Sequence, residues 1–293
     1  MNGQWSYNSN NTGVQASTCT ASGSYSTAMG DGTTASGDYS TSMGRSTAAS
    51  ALYSTAMGRS TAASALYSTA MGYGTDASGY FSTAMGSSTT ASALYSTAMG
   101  DGTIASGSRS TAMGSYTTAS DYASLSIGRF NSVNSTVTAG GSATSFDTDN
   151  AAFVIGNGTG SSTKSDAFVV YFNGNATLSG DLTINSDARL KDNIQPLGST
   201  LNKLHQIEGK TYSFKKDEEH TPKIGVLAQE VQAVFPELVT EGGDGILSVN
   251  YQGLVPVLIN AINEQDAKIA ALEEMVRFLA VQQSQTTSSV AAN

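Results

Sequence analysis

Gly30, Gly44, Gly58, Gly72, Gly86, Gly100, Gly114 and Gly128 stand 14 residues apart, and no ordinary globular fold keeps such a phase over eight cycles. Met29, Met43, Met57, Met71, Met85, Met99 and Met113 precede the first seven glycines, and Ile127 continues the column. Ser26, Ser40, Ser54, Ser68, Ser82, Ser96, Ser110 and Ser124 keep the same phase, most of them after an aromatic (Tyr25, Tyr39, Tyr53, Tyr67, Phe81, Tyr95). Half a repeat later comes Ala-Ser, as at Ala35-Ser36, Ala49-Ser50 and Ala63-Ser64. Fourteen residues are too few for a helical hairpin. They suit two short strands and two tight turns, one coil of a β-solenoid. Side chains alternate faces along a strand, so Ser, Ala and Gly of S-T-A-M-G share one face and Thr and Met the other. The small residues fit a narrow interior. The Met and aromatic columns then face outward or toward a partner, and Gly at the strand end permits a positive-φ turn. An open Met ladder would be an apolar stripe, which predicts a trimer that covers it. A disordered Ser/Thr/Ala/Gly linker would not hold eight residues in register.

The unit S-T-A-M-G-x-x-T-x-A-S resembles the head repeat of trimeric autotransporter adhesins over residues 18–131, with Met where that family usually has Ile or Val. The resemblance implies a left-handed parallel β-roll in a trimer. Residues 1–17 form a separate N-terminal segment. The opening MNGQWSYNSNNTGVQ lacks the basic and apolar regions of a secretory signal.

From 132 to 185 the period is lost. Ala152–Ile155 and Ala167–Phe172 read as strands, and Ala176–Ile184 as strand, turn, strand. This β stalk resembles the segment before the chaperone domain of phage tail fibres and tail spikes, which implies intertwined strands of a trimer.

Charged and long aliphatic residues enter at Ser186, and helical periodicity replaces the 14-residue phase. Four ordered motifs follow: S-D-A-R-L-K-D-N-I at Ser186–Ile194, G-V-L-A-Q-E-V at Gly225–Val231, F-P-E-L-V at Phe235–Val239 and V-N-Y-Q-G-L at Val249–Leu254. They resemble the intramolecular chaperone domain of phage endosialidase tail spikes. The resemblance implies an α+β domain over 186–281 that acts as a single-turnover serine endopeptidase on its own chain. The nucleophile maps to Ser186, the base to Lys191 and the scissile bond to Asn185-Ser186. A hydroxyl needs a base to take its proton, and a lysine serves only as the neutral amine. By residue type alone, Ser186-Asp187 could equally be a helix cap or Asx turn, and Lys191 a solvated lysine. Asp187, Arg189 and Asn193 flank the pair as candidates for orienting the scissile loop or bridging subunits. Glu230 is a candidate to reach a neighbour's pair, or a plain surface carboxylate.

Leu258, Ile262, Gln265, Ile269, Leu272, Val276 and Leu279 alternate by four and three residues. They make either a coiled-coil seam or the apolar face of a helix packed on its own domain. Residues 282–293 read as a disordered tail.

The net charge of -9 argues against nucleic acid and anionic membranes as partners. The single cysteine, Cys19, excludes an intrachain disulfide. His205 and His220 have no neighbours at ligand spacing, so no metal is expected, and no cofactor either. No recurring carboxylate pair suggests a glycosidase. The resulting expectation is a homotrimeric phage or prophage tail-fibre component of the virion, assembled in the bacterial cytoplasm. Its C-terminal domain templates trimerisation and then cuts itself off, leaving residues 1–185 to meet a host-surface glycan or protein. The alternatives are a bacterial cell-surface adhesin and a structural fibre without catalysis. The column Thr27, Thr41, Thr55, Thr69 is thin support for an ice- or glycan-binding face.

Overall fold

The fold follows from what each coil can bury. A computed structural model describes residues 6–7, 14–16, 18–215 and 220–290. The chain divides into two compact units, Met1–Ile184 and Asn185–Asn293.

In the first unit each coil contributes a five-residue strand, such as Thr55–Arg59, and a two-residue strand, such as Ala62–Ala63. The long strands stack in parallel, with Thr55, Ala56, Met57 and Gly58 opposite Thr69, Ala70, Met71 and Gly72. They form most of a 13-stranded sheet, and the short strands form an 8-stranded one. The expected mainly β solenoid of about eight turns is present. The alternation also holds: Ala56, Ala70, Ala84, Ala98 and Ala112 are fully buried, as are the phase serines. Thr and Met on the other face are half-buried, so the Met ladder is less open than an isolated stripe would be. A second interior column, Thr33, Thr47, Thr61, Thr75, Thr89 and Thr103, was not anticipated. Ser42 stands where most coils have Ala, and its hydroxyl lies 2.7 Å from that of Thr47.

The turns explain the remaining columns. Tyr25, Tyr39, Tyr53, Tyr67, Phe81 and Tyr95 sit at one corner with φ between 56° and 57°. Non-glycine residues rarely occupy this left-handed region. Here the strained corner places each ring on the next at centroid distances of 4.9–5.0 Å. Offset stacking offsets part of the backbone cost. Arg109 then takes the corner (φ 61°), its guanidinium over Tyr95 at 5.7 Å.

The solenoid's last short strand, Thr118–Ala119, would leave an open edge. Side-chain amides close it. Asn131 accepts from Thr118 N (2.7 Å) and donates to Thr118 O (2.8 Å). Asn134 accepts from Ser120 N (2.7 Å), and buried Asp121 accepts from Thr138 N and Ala151 N (both 2.7 Å). Beyond this cap, Ala151–Asn157 continues the sheet in parallel, and Asp166–Tyr171 and Ala176–Leu178 follow antiparallel. Residues 181–184, expected as a strand, pair with no strand among the described residues and form none. Leu182 and Ile184 are exposed.

In the second unit, α1 (Leu201–Leu204), α2 (Ala228–Val234) and α3 (Leu254–Val290) accompany two small hairpins, Lys210–Tyr212 with Lys223–Gly225 and Val239–Glu241 with Leu247–Val249. Val231, Val234, Phe235 and Val257 form its core, with Leu204, Ile207, Val226 and Leu238 against them. Helix α3 runs on to Val290, past Gln282 where the sequence suggested a disordered tail. Once a helix exists, each added residue gains a hydrogen bond, and no Gly or Pro interrupts 282–290. Residues 291–293 lie outside the described residues.

Two glycines of one coil give expectations of different size. A Cβ on Gly72 (φ 122°) would lie 2.0 Å from the carbonyl oxygen of Gly86 in the next coil. Gly74 (φ 61°) sits where Ser46, Ser60 and Ser88 sit in other coils, with only the Ser88 hydroxyl near, at 3.8 Å. Gly72→Ala should destabilise by more than about 2 kcal/mol and Gly74→Ala by about 1 kcal/mol. Thermal unfolding of the two variants side by side checks the ranking.

Candidate functional site

Ser186 to Lys191 is a compact turn. Ala188–Leu190 forms one turn of 3-10 helix with Asp187 as its N-cap. Leu190 N donates to Asp187 O and Lys191 N to Ala188 O, each at 3.1 Å. The turn brings residues five apart in sequence face to face: Lys191 Nζ donates to Ser186 Oγ at 2.6 Å. A contact this short suits proton exchange between the two groups. Both residues are exposed in the single chain, as is the whole stretch 186–199.

The other candidates divide. Asp187 and Arg189 pair with each other, Nη2 to Oδ2 at 2.7 Å and Nε to Oδ1 at 3.0 Å. The hydrogen bonds from the Arg189 guanidinium and backbone hold the Asp187 carboxyl below its usual range. Asn193 adopts φ 52° and turns the chain away after the lysine. Glu230 is engaged elsewhere within its own chain. It accepts from Glu208 N at 3.0 Å and lies 3.5 Å from Lys210 Nζ, which also pairs with Glu208.

An arrangement not anticipated from sequence anchors the segment that follows. Glu264 of α3 accepts from Thr200 N (2.6 Å), Ser199 Oγ (2.8 Å) and Asn260 Nδ2 (3.0 Å). Asn260 also donates to Gly198 O at 2.6 Å. The entry to α1 is thus tied to α3 by a carboxylate at an N-terminus, where backbone N–H groups lack partners. The only local signal was Ser199-Thr200 ahead of a helical run; the partner lies 64 residues away.

Along α3, Val257 and Ala261 are buried against the domain, but every residue from Gln265 to Gln283 is exposed. The seam residues Leu258, Ile262, Ile269, Leu272, Val276 and Leu279 are between 46% and 64% exposed. Of the two readings of that seam, packing on its own domain is therefore not what the chain does.

Residues 186–240 match the family described as the chaperone of endosialidase. The match begins at the serine of the Ser-Lys pair and stops short of V-N-Y-Q-G-L and α3. Residues 21–47, 49–75, 77–103 and 105–131 each match the YadA head domain repeat. Among curated relatives, the long tail fiber protein Gp37 of Escherichia phage AR1 is 39% identical over 97 residues, 30% of this chain and 9% of that protein. A probable tail fiber protein of Escherichia phage Phieco32 is 34% identical over 94 residues, 30% of this chain and 13% of its own length. The chain thus spans less than a fifth of the length of these relatives. No described helix is long and apolar enough to cross a membrane.

The Glu264 clamp gives the chaperone-matching segment a predictable acid response. Hydrogen bonds from the Thr200 backbone and the Ser199 hydroxyl lower its pKa. A depressed carboxylate contributes stability that is present above its unfolded value, about 4.3, and lost as pH falls through the folded one. The protection factor of the Thr200 amide, its exchange rate relative to that of an unstructured amide at the same pH, should be high at neutral pH and fall in acid below that value. Glu264→Ala, which leaves no acceptor for Thr200 N, should lower that protection already at neutral pH.

Proposed function

We propose that this chain is part of a homotrimeric phage tail fibre in which residues 186–293 guide assembly and then sever the chain at Asn185-Ser186. The observation that carries the reading is the 2.6 Å contact between Lys191 Nζ and Ser186 Oγ, at the residue where the chaperone match begins. The tail-fibre relatives and head-repeat matches support the fibre and its place in the virion.

The chemistry balances without a cofactor. Lys191, as the free amine, takes the Ser186 hydroxyl proton while Oγ attacks the Asn185 carbonyl carbon. The C–N bond to Ser186 breaks, its nitrogen receives the proton, and Asn185 is left esterified to Oγ. One water then attacks the ester, restoring the hydroxyl and leaving the Asn185 carboxylate. The lysine needs a water-poor setting to act as base. A solvent-exposed pair does not supply it, so other subunits must cover the site. That makes cleavage conditional on assembly.

The uncovered α3 seam supports the same dependence. Ile262, Ile269 and Val276 in one column and Leu258, Gln265, Leu272 and Leu279 in the other fit a parallel coiled coil, with Gln265 as a polar register residue. The apolar strip of Leu182 and Ile184, just before the scissile bond, gives the unpaired end of the stalk a matching role between chains.

Intact-mass analysis of purified wild-type protein should find two products ending at Asn185 and starting at Ser186. Ser186→Ala should leave only the full-length chain, and Lys191→Ala should slow cleavage by about 10²–10⁴-fold. Fragment release from Ser186→Ala would refute the mechanism. Ile269→Asp should shift the uncut chain from trimer to smaller species by light scattering, with cleavage lost alongside.

A further inference from the structure

We infer that Asp187 is a positioning residue for the Ser186-Lys191 pair: it folds the turn that lays the lysine amine on the hydroxyl. This rests on the self-cleavage reading and adds a residue to it. An extended five-residue step would separate the two α-carbons by roughly 17 Å. Closing that gap requires the 3-10 turn at Ala188–Leu190, and the turn is held at both levels by one side chain. Asp187 Oδ1 accepts from Arg189 N at 2.9 Å, capping a backbone donor in the turn's second position. The same carboxylate accepts from Arg189 Nε and Nη2 at 3.0 Å and 2.7 Å, so side chain and backbone of Arg189 are fixed together.

Besides the turn's own backbone bonds from Leu190 N and Lys191 N, Asp187 supplies the side-chain contacts that hold it. Residues 186–199 are all exposed, so no apolar packing holds the turn in the isolated chain. An exposed ion pair alone contributes little. What distinguishes this one is that its carboxylate also caps the backbone, in a segment of six residues with the reacting pair at its two ends. The described hydrogen bonds of the Asp187 side chain go to Arg189, not to Lys191. Asp187 therefore acts on the lysine through the turn and does not orient it directly, as the acid of a serine-protease triad orients its base.

The two contributions separate by substitution. Asp187→Asn keeps an oxygen for Arg189 N but loses the charge; Asp187→Ala loses both. The test is the first-order cleavage rate of the full chain in cell-free synthesis, read by intact mass and normalised to the trimer fraction. Asp187→Ala should cleave at least tenfold more slowly per trimer, and Asp187→Asn should recover to within about threefold of wild type. A residue serving folding alone would lower the trimer fraction and leave the rate per trimer unchanged. That result, or an Asp187→Asn rate no better than that of Asp187→Ala, overturns the inference. Wild-type trimers that never cleave would instead remove the self-cleavage reading, and the positioning role with it.

Discussion

The first unit depends on one close approach: backbone stacked directly on backbone every 14 residues. The interior between the two sheets has room for a methyl or a hydroxyl and little more, as the unbroken column from Ala49 to Ala119 shows. At about 0.8 kcal/mol per buried carbon, such a core gives each coil little apolar driving force. Cohesion must come from the ladder bonds and from columns that repeat identical contacts: Gly over Gly at the strand end, ring over ring at the corner. Repeat proteins of this kind gain stability from neighbouring coils rather than from within one. Their weak points are the ends, and the Asn131, Asn134 and Asp121 side chains are spent on closing one of them.

The solenoid was legible because its determinants are local and repeated. The alternation within S-T-A-M-G assigns inside and outside, and the phase of the glycines fixes the register. The sequence pattern also located the aromatic column but not why it tolerates φ near 57°, since that depends on a ring 14 residues away. The caps were illegible for a similar reason. Asn131 and Asn134 lie in a stretch that reads only as turn, and their meaning comes from the strand edge they meet. In the second unit the pairing of Ser186 with Lys191 was legible only through the resemblance carried by four ordered motifs, since the short pattern alone also fits a helix cap and a solvated lysine. The Glu264 clamp was not, because a carboxylate on an amphipathic helix looks solvated until α1 is seen against it. Glu230, read as a candidate to cross to another subunit, is already engaged by Glu208 and Lys210.

Two features of the second unit are incomplete in a single chain, and they are incomplete in complementary ways. The Ser186-Lys191 pair has the geometry that the proposed self-cleavage needs, but both residues are exposed to water. Helix α3 has an apolar seam of three heptads and nothing to lay it against. The proposed assembly of three chains would answer both needs at once. The Glu264 clamp ties α3 to the entry of α1, and only the stretch 192–199 lies between Thr200, the cap of α1, and Lys191. Ordering α3 in the proposed coiled coil would therefore also restrain the segment that carries Ser186 and Lys191.

This coupling gives the order of events a physical basis. Sheets built from distant or separate chains form slowly and expose edges while they do so. A helix with a local, quickly formed repeat can register three chains before the strands close. If cleavage waits for shelter, and shelter waits for three chains, the template is removed only from assemblies that have formed. What remains then lacks the element that helped it fold. Its persistence becomes a matter of the unfolding barrier rather than of equilibrium. A fibre of thin coils, each with little core of its own, has more to gain from such a barrier than a domain with a large apolar interior.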